Sequence, residues 1–177
     1  HFKMAKLCND LGKVYRSKED IAQAIVYHEQ ALTITLAVRG AQHPDTVDIY
    51  ACLGICYFSK GNYDQSIVYA QQALSISLAT FGKQHTMTVH VYTVLGGSYS
   101  QKGNYEQAIY YYQQALSIHE DILGKQHSCI SSVYHGLSTC CKDNYTQALH
   151  YHQQALQSLA LDVPTEDYYL LPKLVGY

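Results

Sequence analysis

Apolar positions along this chain recur at helical spacing in blocks separated by short polar breaks, and the blocks repeat. Leu11, Leu53, Leu95 and Leu137 occupy one phase of the pattern, each 42 residues after the last. Gly12, Gly54 and Gly96 follow them, with Ser138 in the fourth place; Tyr15, Tyr57 and Tyr99 come next, with Cys141 in the fourth. A second block in each unit reads "DIAQAIVYHEQALTI" (20–34), "NYDQSIVYAQQALSI" (62–76), "NYEQAIYYYQQALSI" (104–118) and "NYTQALHYHQQALQS" (144–158). The last unit has lost two residues, after which Ala31, Ala73, Ala115 and Ala155 still correspond. Such a unit cannot bury its apolar face alone, so neighbouring units stack to make a continuous core. Each unit reads as two helices, and the chain as an all-α solenoid.

The helix ends are written locally. Asp20, Asn62, Asn104 and Asn144 each precede a glutamine (Gln23, Gln65, Gln107, Gln147) by three residues. This spacing predicts a side-chain N-cap with the glutamine reaching back to the cap amide. Gly61 and Gly103 close the first helix of a unit, and Gly40, Gly82 and Gly124 close the second. Pro44, Thr86 and Ser128 suit the opening of the next helix. His43, His85 and His127 sit in the linkers at repeat spacing and are expected to hydrogen-bond the turn. The array is expected over residues 1–161, with units at about 4–45, 46–87, 88–129 and 130–161. A tail follows at 162–177, as a cap or the start of a fifth repeat.

Composition changes this picture little. Most of the 18 tyrosines fall in four columns, Tyr15/57/99, Tyr27/69/111/151, Tyr50/92/134 and Tyr63/105/145. An aromatic at a fixed repeat position packs the same helix–helix contact each time, so the tyrosines read as scaffold. With 12 basic and 14 acidic residues, the net charge of −2 points away from nucleic acid or membrane as the main partner. No apolar run approaches the ~18 residues of a membrane span, and no secretory pattern opens the chain. The absence of an initiator Met before His1 suggests a piece of something longer. Six cysteines (Cys8, Cys52, Cys56, Cys129, Cys140, Cys141) are irregularly spaced and read as reduced, buried thiols of a cytoplasmic protein. Cys52 and Cys56 resemble half a metal site, without a second pair at ligand spacing. His150 and His152 point to different faces of their helix. No GxGxxG, P-loop, GxSxG or HExxH occurs. No catalytic residue, metal or cofactor is expected, and the chain does not read as an enzyme.

Tyr50–Leu53–Gly54–Tyr57–Ser66–Ala70–Ala73 and Tyr92–Leu95–Gly96–Tyr99–Ala108–Tyr112–Ala115 resemble the signature of the tetratricopeptide repeat (TPR). The 42-residue period and the "GKQH" linkers are similar to the kinesin-light-chain variety. The resemblance implies a right-handed α-solenoid of about four helix–turn–helix units whose first helices line a concave groove. It also indicates the inward positions. They are Lys6, Asn9, Lys13 and Arg16 in unit one, and Asp48, Ala51, Ile55 and Phe58 in unit two. Unit three contributes His90, Thr93, Gly97 and Ser100, and unit four Ser132, His135 and Thr139. Of the paired asparagines that grip peptide backbone in that family, only Asn9 is present.

The expected function is a scaffold or adaptor that binds a peptide segment of a partner in this groove. The Lys6–Lys13–Arg16 stripe suits carboxylates, and Gly97 leaves room for a bulky anchor beside Ile55 and Phe58. An acidic-aromatic peptide fits both. Two alternatives are a self-associating array, dimerising through terminal repeats or tail, and the regulatory region of a larger enzyme. The tail segment "PTEDYYL" (164–170) is itself acidic and aromatic, and so a candidate occupant of the groove.

Overall fold

The computed structural model describes residues 2–123, 130–141 and 144–160. Among them are eight helices: α1 (Phe2–Ser17), α2 (Ile21–Arg39), α3 (Pro44–Ser59), α4 (Tyr63–Thr80), α5 (Thr86–Gln101), α6 (Tyr105–Leu123), α7 (Ser131–Cys140) and α8 (Tyr145–Ala160). Each odd helix packs on the even helix that follows it, and each even helix on the next odd one. Odd helices also touch one another across units, α1 on α3, α3 on α5 and α5 on α7, more closely than consecutive even helices do among the described residues. The array therefore curves with its odd helices on the inner side. The expected tail, together with Gly124, His127, Ser128 and Cys129, lies outside the described residues.

The caps form, with one change in their chemistry. The side-chain oxygens of Asp20, Asn62, Asn104 and Asn144 accept from the amides of Gln23, Gln65, Gln107 and Gln147 at 3.1–3.2 Å. The expected return arm of the glutamine is not what satisfies the cap amide. That N–H donates instead to the end of the preceding helix, Asp20 to Tyr15, Asn62 to Tyr57, Asn104 to Tyr99 and Asn144 to Cys141, at 2.9–3.2 Å. The turn between helices is so short that the old carbonyls reach the new amides first. Gly40, Gly61, Gly82 and Gly103, at the ends of α2, α3, α4 and α5, all have φ near +80°, a region that glycine enters without strain. His43 and His85 bond the turn as expected, Nδ1 accepting from the amides of Asp45 and Met87 at 3.2 and 3.1 Å.

Three apolar clusters run through the array, one per junction. Ile25 of α2 packs with Ile49, Leu53 and Cys56 of α3. Ile67 of α4 packs with Val91 and Leu95 of α5, and Ile109 of α6 with Val133, Leu137 and Cys140 of α7. Leu32, Leu74 and Leu116, one heptad further along each even helix, join the same clusters. Within each unit the tyrosine columns close the contact. Tyr15 stacks on Tyr27, Tyr57 on Tyr69 and Tyr99 on Tyr111, at centroid distances of 5.2–5.5 Å. Two of these hydroxyls reach the preceding unit, Tyr57 donating to Glu29 at 3.3 Å and Tyr99 accepting from Gln71 at 3.4 Å.

Two adjacent glycines have different roles. A methyl group at Gly96 would lie 2.8 Å from the Tyr112 ring, whereas one at Gly97 would make ordinary contact with Phe58 and the Tyr112 hydroxyl at 3.4 and 3.5 Å. Gly96 is demanded by close packing and Gly97 is not. Gly96→Ala is therefore expected to lower the unfolding free energy by roughly 1–2 kcal/mol, since overpacking outweighs the ~1 kcal/mol gained in helix propensity. Gly97→Ala is expected to raise it by up to about 1 kcal/mol. Urea titrations of the two variants check the opposite signs.

Candidate functional site

The inner wall begins with a polar network between α1 and α3. Lys13 Nζ lies 2.6 Å from Asp48 Oδ2, and Asn9 Nδ2 donates to the same oxygen at 2.7 Å. With its NH2 group turned to the carboxylate, Asn9 presents its amide oxygen to His28 Nδ1, 2.8 Å away on α2. That nitrogen must then carry the proton, which leaves Nε2 bare, and no described group bonds it. His28 is fully buried, 0% exposed, and a methyl at Gly12 would meet its ring at 2.6 Å. Burial pushes the His28 pKa down to about 4, against a smaller upward pull from Asp48. Burial also opposes the Lys13 ammonium, but its hydrogen bond and ion pair with Asp48 prevail and raise its pKa.

Arg16, one turn further along α1, has no such partner. Its Nε is buried without a hydrogen bond, and no carboxylate pairs with it among the described residues. Its positive charge acts on Cys52 and Cys56 of α3 and on His90 of α5. Desolvation between the concave walls, then the Arg16 charge, lowers the pKa of His90. Desolvation pushes Cys52 up to about 12 and Cys56 to about 11, which leaves both thiols protonated and unreactive.

Beside Arg16 the wall becomes apolar. Ile55, Phe58, His90, Thr93, Val94, Gly97, Tyr112 and Ser132 line a pocket of about 270 Å³. That is slightly below the ~300–1,000 Å³ of small-molecule sites. A larger hollow of about 450 Å³ continues from it past Ser100, His135, Gly136 and Thr139. Lys6 lies at the other end, with Asn9, Lys13 and Asp48 around a hollow of about 240 Å³.

Most of the expected inward positions thus share one surface; Ala51 does not, and Asn9 lines it with its amide already engaged. Ala51 is 2% exposed and packs with Val47, Ala70 and Val91 in the core between α3, α4 and α5, so it is not a groove residue. Asn9 borders the groove but is buried, and both ends of its amide are engaged by His28 and Asp48, so it has no free group to grip a peptide backbone. Lys13 likewise already holds an internal carboxylate. Tyr112, absent from the expected set, reaches the groove from α6 across Gly97. Gly136 carries the signal for it. This glycine replaces the larger Val94 of the preceding unit's column, and a methyl there would overlap the Tyr112 ring. Among the described residues no three His, Cys, Asp or Glu side chains are placed to hold a metal ion, and no helix is long and apolar enough to cross a membrane.

The tetratricopeptide repeat family model matches residues 3–79, 45–121 and 89–160. Among solved structures, BtubC (BKLC) from P. vanneervenii superposes with a TM-score of 0.72 at 18% identity, over 98% of this chain and 65% of that one. This chain thus spans less than two thirds of that protein. A Podosopora anserina structure described as "kinesin light chain nearly identical TPR-like repeats" gives a TM-score of 0.79 at 18% identity, over 97% of this chain and 82% of that one. A single-residue variant of it gives 0.73 at 16% identity, over 98% and 94%. At these identities the likeness is one of fold. No curated protein matches the chain.

The buried imidazole makes stability depend on pH. His28 binds its proton less readily in the folded chain (pKa about 4) than in the unfolded one (about 6.5). Its contribution is therefore fully present above about pH 6.5 and lost as pH falls toward 4, by about 3 kcal/mol in all. Denaturant unfolding at pH 7 and pH 4.5 should show this loss, and His28→Gln should flatten the slope over that interval.

Proposed function

Because the chain belongs to the tetratricopeptide repeat family, we propose that it is a non-catalytic scaffold whose groove holds a segment of a partner protein by one aromatic and one acidic side chain. Proteins of this family are generally protein–protein interaction scaffolds. One observation carries the finer reading: the Arg16 guanidinium, which has no carboxylate partner among the described residues, exerts its charge on His90, and His90 lines the pocket with Ile55, Phe58, Gly97 and Tyr112. A guanidinium with a buried, unsatisfied Nε gains more from a carboxylate than one already paired. The neighbouring pocket has the scale of one side chain, and its floor lacks a side chain at Gly97. An aromatic anchor there meets Phe58 and Tyr112 as ring partners. Asp48 neutralises Lys13 within the Lys13–Asp48–Asn9 network, so of the cations on the α1 stripe Arg16 rather than Lys13 is left to meet a carboxylate beside His90.

The probe for this reading is a fluorescein-labelled peptide with the sequence of residues 164–170, Pro-Thr-Glu-Asp-Tyr-Tyr-Leu. Its anisotropy is titrated with the full chain. Arg16→Glu is expected to weaken binding about 10- to 100-fold, the scale of a lost charged hydrogen bond. Gly97→Leu, which fills the pocket, should do the same while helicity by circular dichroism is unchanged. Alanine in place of both tyrosines should abolish binding. Absence of saturable binding, or equal affinity for wild type and both variants, would overturn the reading.

A further inference from the structure

We propose that the groove sorts its partner segment by charge along its length. The segment lies with its acidic residue toward α1 and its aromatic anchor at α5. Its next residue sits in the hollow between α5 and α7, which takes an uncharged hydrogen-bonding side chain and rejects a charge of either sign. This rests on the reading above and adds the side of the anchor that faces away from Arg16. The argument begins with where the charges are. α1 carries Lys3, Lys6, Lys13 and Arg16 against Asp10, and α3 carries Asp45 and Asp48. α5 and α7 contain no Asp, Glu, Lys or Arg at any position. The concave wall is therefore charged on its first two odd helices and formally uncharged on its last two.

The two hollows of this wall are contiguous and chemically unlike. The anchor pocket and the hollow of about 450 Å³ share Phe58, Gly97, Tyr112 and Ser132, so a chain leaving one enters the other. Ser100, Gln101, Ser132, His135 and Thr139 line the second, with Tyr112 at the shared edge. Among the described residues no carboxylate, ammonium or guanidinium lines it. Burial pushes the Tyr112 pKa up to about 12, so the phenol keeps its proton and is able to donate. Thr139 donates its hydroxyl proton to the Gly136 carbonyl at 2.8 Å, which leaves its oxygen to accept. A side-chain amide needs both a donor and an acceptor, and this hollow offers both.

Desolvation decides which residue fits. An uncharged polar side chain regains there the hydrogen bonds it gives up in water, whereas a carboxylate or ammonium finds dipoles but no counterion. Lys102, which follows α5, is already held by Asp64 of the preceding unit. With the acidic residues of the segment drawn to Arg16, the residue beyond the anchor reaches the α7 side. In the sequence Pro-Thr-Glu-Asp-Tyr-Tyr-Leu that residue is Leu170.

The test uses the labelled peptide of residues 164–170 with an amidated C-terminus, so that no terminal carboxylate enters the hollow. It is made as it stands and with Leu170→Gln, Leu170→Glu or Leu170→Lys. Anisotropy is titrated with the full chain at about pH 8, above the range of ordinary imidazoles. The Gln peptide should bind at least as tightly as the Leu peptide, and the Glu and Lys peptides each about 10-fold or more weakly. Thr139 is exposed, and Thr139→Glu should keep wild-type helicity, recover most of the affinity for the Lys peptide and weaken the Glu peptide further. A Glu or Lys peptide that binds wild type as tightly as the Gln peptide would overturn the inference. If Arg16→Glu still weakens all four, the anchor reading stands without it. A Gln peptide weaker than the Leu peptide would overturn it as well, since the hollow would then be acting as an apolar one. So would rejection of both charges with no recovery in Thr139→Glu, because the charge would then be read elsewhere. No saturable binding of any of the four peptides would remove the anchor reading and this inference together.

Discussion

Everything in this array depends on one contact made three times, an isoleucine–leucine pair on an even helix closing over the leucine of the next odd helix. Leu53, Leu95 and Leu137 are fully buried because each has a preceding unit to lie on. A helix pair on its own would have nowhere to place them, so stability belongs to the junction more than to the unit. The buried Thr88 hydroxyl makes the same junction directional. It donates to the Gly82 carbonyl at 2.9 Å and accepts from Ser77 at 2.7 Å, tying the end of α4 to the start of α5.

Curvature follows from what stands between the helices of a unit. Where the even helix carries a ring, the odd helix must have no side chain, so His28 lies under Gly12 and Tyr112 lies between Gly96 and Gly136. These close approaches draw the odd helices together into one inner wall. They also deliver Tyr112 through that wall to the groove. A single residue thereby serves both the packing of α6 on its neighbours and the surface of the pocket.

The electrostatics of the wall come from which charges find partners inside the fold. Three cationic side chains lie on the inward stripe of α1, and Asp48 takes one of them out of play. Lys6, at the polar end of the wall, and Arg16 form no ion pair with a carboxylate among the described residues.

Much of this was determined by the sequence alone. The 42-residue period, the Asn–x–x–Gln starts, the glycine stops and the tyrosine columns define helices whose ends depend on neighbours in the chain, and local signals suffice for that. Most of the positions that the family resemblance indicated as inward line hollows of the odd-helix wall, Ile55, Phe58 and Gly97 among them. Other features required the tertiary structure, since they depend on partners distant in sequence. Nothing near Asn9 announces that its amide will be shared by His28 and Asp48, and nothing near Lys13 announces its ion pair. Ala51 carries the inward phase, yet its small side chain is enclosed between α3, α4 and α5, so its position on the helix did not decide its exposure.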